Sequence, residues 1–290
     1  MQNNNNIFNK NDSIHHSTLY LIIGLLVLFI PFYAFSATKT VLSTGSALIT
    51  EKVTYEQAVM FAINQARVDA IEKAGVISVN NSTLILNNST VADYIKSFSS
   101  GFIVSEEIVN WTQSWSPSIK RDRPPYPQLN VSIRSSVNIP DKHFIRHHII
   151  DAKLNRSNFR NGENAIFTVM PHSNLYLLIV NYTSKGTIMP IFPNRYARNN
   201  YLKKNIGFTY PPANNSKVSI EINTYNYNDN DTEAFLLFAL PIDPQTRHIN
   251  WLALFPPAKE ISYADFHSKL LDLPLEWLAE KILVYTVRKE

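Results

Sequence analysis

Four groups of residues in this sequence have the types and spacing to do chemistry. His143 and His147 stand four apart, with His148 beside them and Asp141 and Asp151 close by. On a helix the pair shares one face, and imidazole nitrogens suit zinc or copper. A catalytic site also needs a third ligand and a base, and the run lacks the Glu that a zinc-protease helix places after its first His. The pair therefore reads as solvated residues of a connecting segment, with metal binding the weaker alternative and no cofactor expected. Asp229, Asp231 and Glu233 alternate in an Asn-rich stretch. Alternating oxygens suit Ca²⁺, but there is no Gly at the sharp turn and no bidentate Glu at the right distance, so a solvated turn is expected. Glu106 and Glu107 offer carboxylates for acid/base work, as do Asp229 and Asp231, without any sequence sign of paired environments that would separate their pKa values. Finally, Arg195, Arg198, Lys203 and Lys204 interleave with Tyr196, Tyr201 and Phe208. Cations among aromatic rings suit an anionic glycan, phospholipid headgroups or an acidic protein patch. The bland alternative is a solvated loop with its rings tucked onto a sheet.

Several signatures are missing. The sequence has no G-x-S-x-G elbow, no P-loop and no dinucleotide fingerprint, and its 7 Gly are few for building phosphate cradles. With no Cys, a disulfide framework, thiol catalysis, Cys-ligated zinc and a lipidated N-terminal Cys are excluded. The expectation is a protein that is not an enzyme. A formal charge of +4 spread over 290 residues is too dilute for nucleic acid, which requires clustered Lys and Arg on one face.

The elements that must position these groups begin with a leader. Residues 1–18 are polar, Leu19 to Ile30 form an apolar core, Pro31 breaks it, and Ala34 and Ser36 offer small residues for cleavage near Ser36 or Ala37. Residues 1–37 are thus expected to be a signal peptide or, as the alternative, an uncleaved anchor. The rest is exported to the periplasm or envelope. Membrane contact is expected through this segment alone, if it is kept.

Thr40 to Thr50 reads as a strand in which Gly45 marks a bulge or a close backbone approach. Thr54 and Gln57 have capping-box spacing, and Gly75 sits where a helix ends. Between them Ala58, Ala62, Ala66, Ala70 and Ala74 recur every four residues, a face of small side chains that lets a helix lie close on a sheet. Phe61 and Val68 fall outside that stripe, packed beneath a neighbouring element or forming an interface with another domain or a partner. Val76 to Leu86 reads as a strand, Thr90 to Phe98 as a short helix, and Gly101 to Trp115 and Leu129 to Ile139 as strands around a proline-rich turn. The order predicts a compact α+β domain over 38–140, with an Ala-rich helix on a small antiparallel sheet.

Asn174 to Asn194 is the clearest element: two apolar runs joined by Thr183, Ser184, Lys185 and Gly186, a β-hairpin closed by Phe192, Pro193 and Asn194. Phe159 to Pro171 precedes it with a strand after the turn at Asn161 and Gly162, and Lys217 to Thr224 follows as an alternating strand. The nearly continuous apolar run Ala234 to Pro241 should be a central strand. Ser262 and Asp265 cap a helix to about Leu271, Pro274 starts a short helix, and Ile282 to Val287 forms a final strand. Residues 141–290 are therefore expected to form a mainly β domain with C-terminal helices, and the whole chain is of the α+β class.

Two resemblances follow from these residues. The Gly45 and Ala47 strand, the alanine-ridged helix ending in Gly75, Ser82-Thr83 and Ser99-Ser100-Gly101 resemble the N-terminal domain of flagellar assembly protein T and the related LPP20-type envelope lipoproteins, over Val41 to Ile139. Lacking Cys, this chain departs from the lipoprotein members. The Phe159-Arg-Asn-Gly-Glu run, the hairpin, Tyr210-Pro211-Pro212 and Glu233 leading into Ala234 to Leu240 resemble domain of unknown function 4384. The resemblances imply a non-catalytic exported protein that binds or scaffolds envelope or secretion-apparatus proteins, in a setting that includes the flagellum. Its expected contacts are Phe61 and Val68 and the loop of Arg195, Tyr196, Arg198, Tyr201, Lys203 and Lys204. A cell-wall glycan or small-ligand module and a metal-dependent hydrolase are the rival classes.

Overall fold

The structure, a computed structural model, describes residues 38–75, 101–116, 125–139, 149–212, 218–225, 229–242 and 249–289. The leader, the expected elements between Val76 and Phe98, and His143 and His147 lie outside these residues.

Strand β1 (Thr38–Leu48) leads into helix α1 (Tyr55–Ala74), and strands β2 (Phe102–Trp115) and β3 (Pro127–Asn138) complete an antiparallel sheet in the order β1-β3-β2. Helix α1 starts where the sequence requires. Thr54 Oγ1 accepts from Gln57 N–H at 3.2 Å and Gln57 Oε1 accepts from Thr54 N–H at 3.0 Å, while Gly75 ends the helix at φ 103°. All five alanines of the ridge are buried against the sheet. The close approach falls at Gly45. A Cβ there would lie 2.0 Å from Ala62 O and 2.5 Å from Ala66 N, so no side chain larger than hydrogen fits between strand and helix.

The second sheet is built on the expected hairpin. Strands β8 (Leu175–Tyr182) and β9 (Ile188–Phe192) flank a turn with Gly186 at φ 74°. Chain order between the sheets gives the short strands β4 (Ile150–Leu154), β5 (Asn158–Arg160), β6 (Glu163–Asn164) and β7 (Phe167–Pro171), so the expected strand after Gly162 is two pieces. After the hairpin come β10 (Tyr201–Leu202), β11 (Phe208–Tyr210) and β12 (Glu221–Ile222), the last being the paired part of the expected Lys217 to Thr224 strand. Strand β13 (Asn230–Pro241) is central, hydrogen-bonded to β8 on one side and to β14 (Ala279–Arg288) on the other. The path is β10-β8-β13-β14-β5, with β9 also on β8 and β5 parallel to β14.

Burial on both faces explains the continuous apolar run. From β13, Ala234, Leu236, Phe238 and Leu240 enter one hydrophobic cluster, while Phe235, Leu237 and Ala239 enter the other. The second cluster lies beneath the small sheet β11-β7-β4 and holds Phe167 and Val169. The first is shared with the N-terminal elements: Val41, Ala70, Ile71, Phe102, Ile103 and Val137 join Tyr182, Tyr263 and Phe266. Helices α2 (Trp251–Leu254) and α3 (Tyr263–Leu270) fill the same cluster, and Ser262 Oγ caps α3 by accepting from Asp265 N–H. The described chain is mostly β with few helices, and residues 36–290 form one compact unit.

Candidate functional site

The basic segment after the hairpin forms two hydrogen-bonded turns on either side of β10, the short strand that pairs with β8. In the first, Asn194 and Ala197 exchange backbone hydrogen bonds, and Asn194 Oδ1 accepts from Tyr196 N–H at 2.9 Å and from Ala197 N–H at 3.0 Å. Arg195 and Arg198 are exposed on it, with the Arg195 guanidinium 4.6 Å from the centre of the Tyr196 ring. The chain then pairs with β8, Tyr201 opposite Tyr176 and Leu202 opposite Leu175. In the second turn Ile206 N–H donates to Lys203 O, Asn205 adopts φ 58°, Asn174 Oδ1 accepts from Lys204 N–H, and Asn205 N–H donates to Pro171 O. Lys203 and Lys204 are exposed, Tyr201 is half-buried with its ring 6.3 Å from that of Tyr176, and Phe208 is half-buried against the core beneath. Of the expected residues, the four cations and Tyr196 are exposed on two successive turns, and Phe208 serves the core.

Phe61 and Val68 sit elsewhere. They are half-buried on the face of α1 turned away from the alanine ridge, and they pack on the cluster shared with β8, β13 and α3. Asn64 lies on that face too, since residues three and four apart on a helix are neighbours. It anchors a buried polar network. Tyr182 Oη donates to Asn64 Oδ1 at 2.8 Å and Arg67 Nη1 donates to the same oxygen at 3.2 Å. Arg67 also pairs twofold with Glu106 of β2, through Nη2 and through Nε, the latter at 2.8 Å, and its guanidinium lies 4.5 Å from the centre of the Tyr263 ring. His267 completes the seam. Its Nδ1 accepts from Ile103 N–H at 3.0 Å, and its ring contacts Tyr263 and Phe102. Total burial, reinforced by the charge on Arg67, holds its pKa well below the usual histidine value, so the ring is neutral with its proton on Nε2. Sequence reasoning missed Asn64, Arg67, Tyr182, Tyr263 and His267. The available signal was polar Asn64 on the same helix face as Phe61 and Val68.

The acidic groups also land differently. Asp231 and Glu233, expected in a solvated turn, are buried on β13, because pairing begins at Asn230 rather than at Ala234. Glu233 accepts from Asn181 Nδ2 at 2.7 Å, Ser184 N–H at 2.9 Å and Tyr285 Oη at 2.6 Å, and Asp231 accepts from Tyr225 N–H. Burial, then the neighbouring Glu233 charge, pushes the Tyr285 phenol well above its usual range, so it stays a donor. Three donors satisfy one buried carboxylate and organise the hairpin turn. Glu107 is a surface partner of Arg134 at 3.0 Å. Among the described residues no group of three His, Asp or Glu is placed to hold a metal ion.

A further surface was not foreseen. Helix α1 covers β1 and β3 but barely reaches β2, which is the edge strand among the described residues. Helix α3 closes the inner end of that edge through Ile103 N–H to His267 and Ser268 Oγ to Val104 O. Beyond it every residue from Glu107 to Trp115 is exposed. Ile108, Trp111 and Trp115 stand opposite Ile133, Val131 and Pro127, on the helix-bearing face yet outside the helix's cover, and are 43%, 41% and 69% exposed. The bulge between Ile108 and Asn110 adds exposed Val109.

A family model described as a domain of unknown function (DUF4384) matches residues 158–225. The match runs from β5 to just past β12 and includes the hairpin and both basic turns. No curated protein matches the chain.

Proposed function

We propose that this is a non-catalytic, exported bacterial protein that binds and scaffolds protein partners during assembly or maintenance of an envelope structure, with the flagellum as the setting that the N-terminal resemblance implies. The observation that supports the reading is the outer half of β2. Among the described residues this is an unpaired edge of nine exposed residues with two Trp, and without Pro or Lys to block pairing, a template for strand addition in which backbone hydrogen bonds give affinity and side chains give selectivity. The occupant is an extended segment of an envelope protein. Enzyme chemistry has less to stand on, since the buried carboxylates Asp231 and Glu233 are engaged by their own neighbours.

The test is a photoreactive residue at Gln113 in the full chain, used in cells and mapped by mass spectrometry. Crosslinks from position 113 to a strand of a basal-body or secretion-apparatus protein, abolished by Trp111→Asp in a variant that keeps its folded spectrum, are expected. Crosslinks absent from position 113, or unaffected by Trp111→Asp, overturn strand addition.

A further inference from the structure

The sequence has no Asp or Glu between Glu163 and Glu221, yet it carries Arg195, Arg198, Lys203 and Lys204 there. Among the described residues none of these four cations forms an ion pair. By contrast, Lys185 in the same stretch pairs with Glu260 at 3.4 Å. No carboxylate within this stretch offsets the four cations, and Asp151, which stands opposite Met170 on β4, is engaged by His172 at 2.9 Å, so the stretch carries positive charge that favours an anionic occupant.

The form of the site narrows that occupant. Each turn presents two cations and one exposed apolar side chain: Arg195 and Arg198 with Tyr196, 51% exposed, and Lys203 and Lys204 with Ile206, 57% exposed. Neither apolar side chain is placed there by slack in the chain. The Asn194 side chain fixes the first turn and the Asn174 and Pro171 contacts fix the second. Exposed Met170 on β7 lies beside the second turn, its Cε 3.6 Å from where a Gly207 side chain would begin. A soluble polyanion would use the charges and leave Tyr196 and Ile206 in water. A bilayer uses both, with cations at the phosphates and the aromatic and aliphatic tips at the headgroup boundary.

We propose that the Arg195–Arg198 and Lys203–Ile206 turns form a peripheral docking surface for an anionic phospholipid membrane. The contact uses residues other than those of the β2 edge and of the leader.

The absence of Cys permits a clean test. Ile206→Cys in the full chain accepts a single environment-sensitive fluorophore, which reports on this turn and not on the leader. Vesicles of phosphatidylglycerol and phosphatidylcholine in equal parts should shift the label emission to the blue, and raised salt should reverse the shift. Pure phosphatidylcholine should leave it unchanged. In the unlabelled chain, changing all four cations to Gln should weaken partitioning onto the anionic vesicles by about fivefold per charge, ~600-fold together, with the folded circular dichroism spectrum retained. No emission shift on anionic vesicles, an equal shift on neutral ones, or unchanged partitioning of the four-Gln variant would overturn the proposal. An equal shift produced by dissolved polyphosphate would overturn the membrane in favour of a soluble polyanion.

Discussion

His267 has a neutral imidazole enclosed by three elements, and a proton added to it would face the Arg67 guanidinium from α1 with the Tyr263 and Phe102 rings on either side. The carboxylate of Glu106 on β2 is engaged twofold by Arg67. In the unfolded chain the same ring takes up a proton near pH 6.5. Between its lowered native value and pH 6.5 the unfolded state therefore binds more protons than the native state, so stability rises with pH and falls as acid is added. The loss approaches about 1.4 kcal/mol per pH unit below pH 6.5 and ends at the native pKa. Denaturant unfolding from pH 7 to pH 5 should show this slope in the wild type, and His267→Asn, which keeps an acceptor for Ile103 N–H, should flatten it despite a lower starting stability. An unchanged slope would mean that other groups carry the acid sensitivity.

At the level of elements, the spacing of α1 on its sheet is set by backbone contact at Gly45, not by interlocking large side chains. Gly45→Ala must push the helix away from β1 or bend the strand, and neither can yield cheaply when the opposing atoms are Ala62 O and Ala66 N. The expected cost is about 2–4 kcal/mol, read as a lowered denaturant midpoint, with Gln65→Ala, which removes the acceptor of the Ser46 N–H, as a neighbouring control at ~1 kcal/mol. A Gly45→Ala protein of wild-type stability would show that the approach is not tight. This element was readable from the sequence because its signals are local: alanines every four residues, the Thr54 and Gln57 box, and Gly75 all act within one helix. The hairpin was readable for the same reason. The exposed half of β2 was not, because its exposure depends on how far sideways α1 reaches, and no residue of β2 encodes that. Nor was the start of β13, since Asp231 and Glu233 look solvated until Tyr285, Asn181 and Tyr225 arrive from distant segments to satisfy them.

Across the whole molecule, the α1 sheet and the hairpin sheet are joined by apolar burial and by polar contacts that neither side satisfies alone. Tyr182 reaches Asn64, Gln57 Nε2 donates to Asn230 O at 2.7 Å, Ile103 N–H reaches His267, and the Gly186 turn lies against Met60 and Arg67. Separating them would expose the Phe61 and Val68 face, take Tyr182 from Asn64, the Tyr263 ring from Arg67 and the Ile103 N–H from His267, and split the cluster running from Val41 to Leu278. Buried polar groups that lose one partner typically cost about 1–3 kcal/mol each, so an intermediate with one sheet folded and the other unfolded is disfavoured by several such losses at once. The two sheets should therefore unfold as one cooperative unit. Native-state hydrogen exchange tests this by comparing the slowest amides of α1 with those of β13: their opening free energies should agree within about 1 kcal/mol, and Tyr182→Phe should lower both by the same amount. If Tyr182→Phe lowers protection in β13 while leaving α1 untouched, the two sheets are independent folding units that happen to touch, and the shared cluster is contact without coupling.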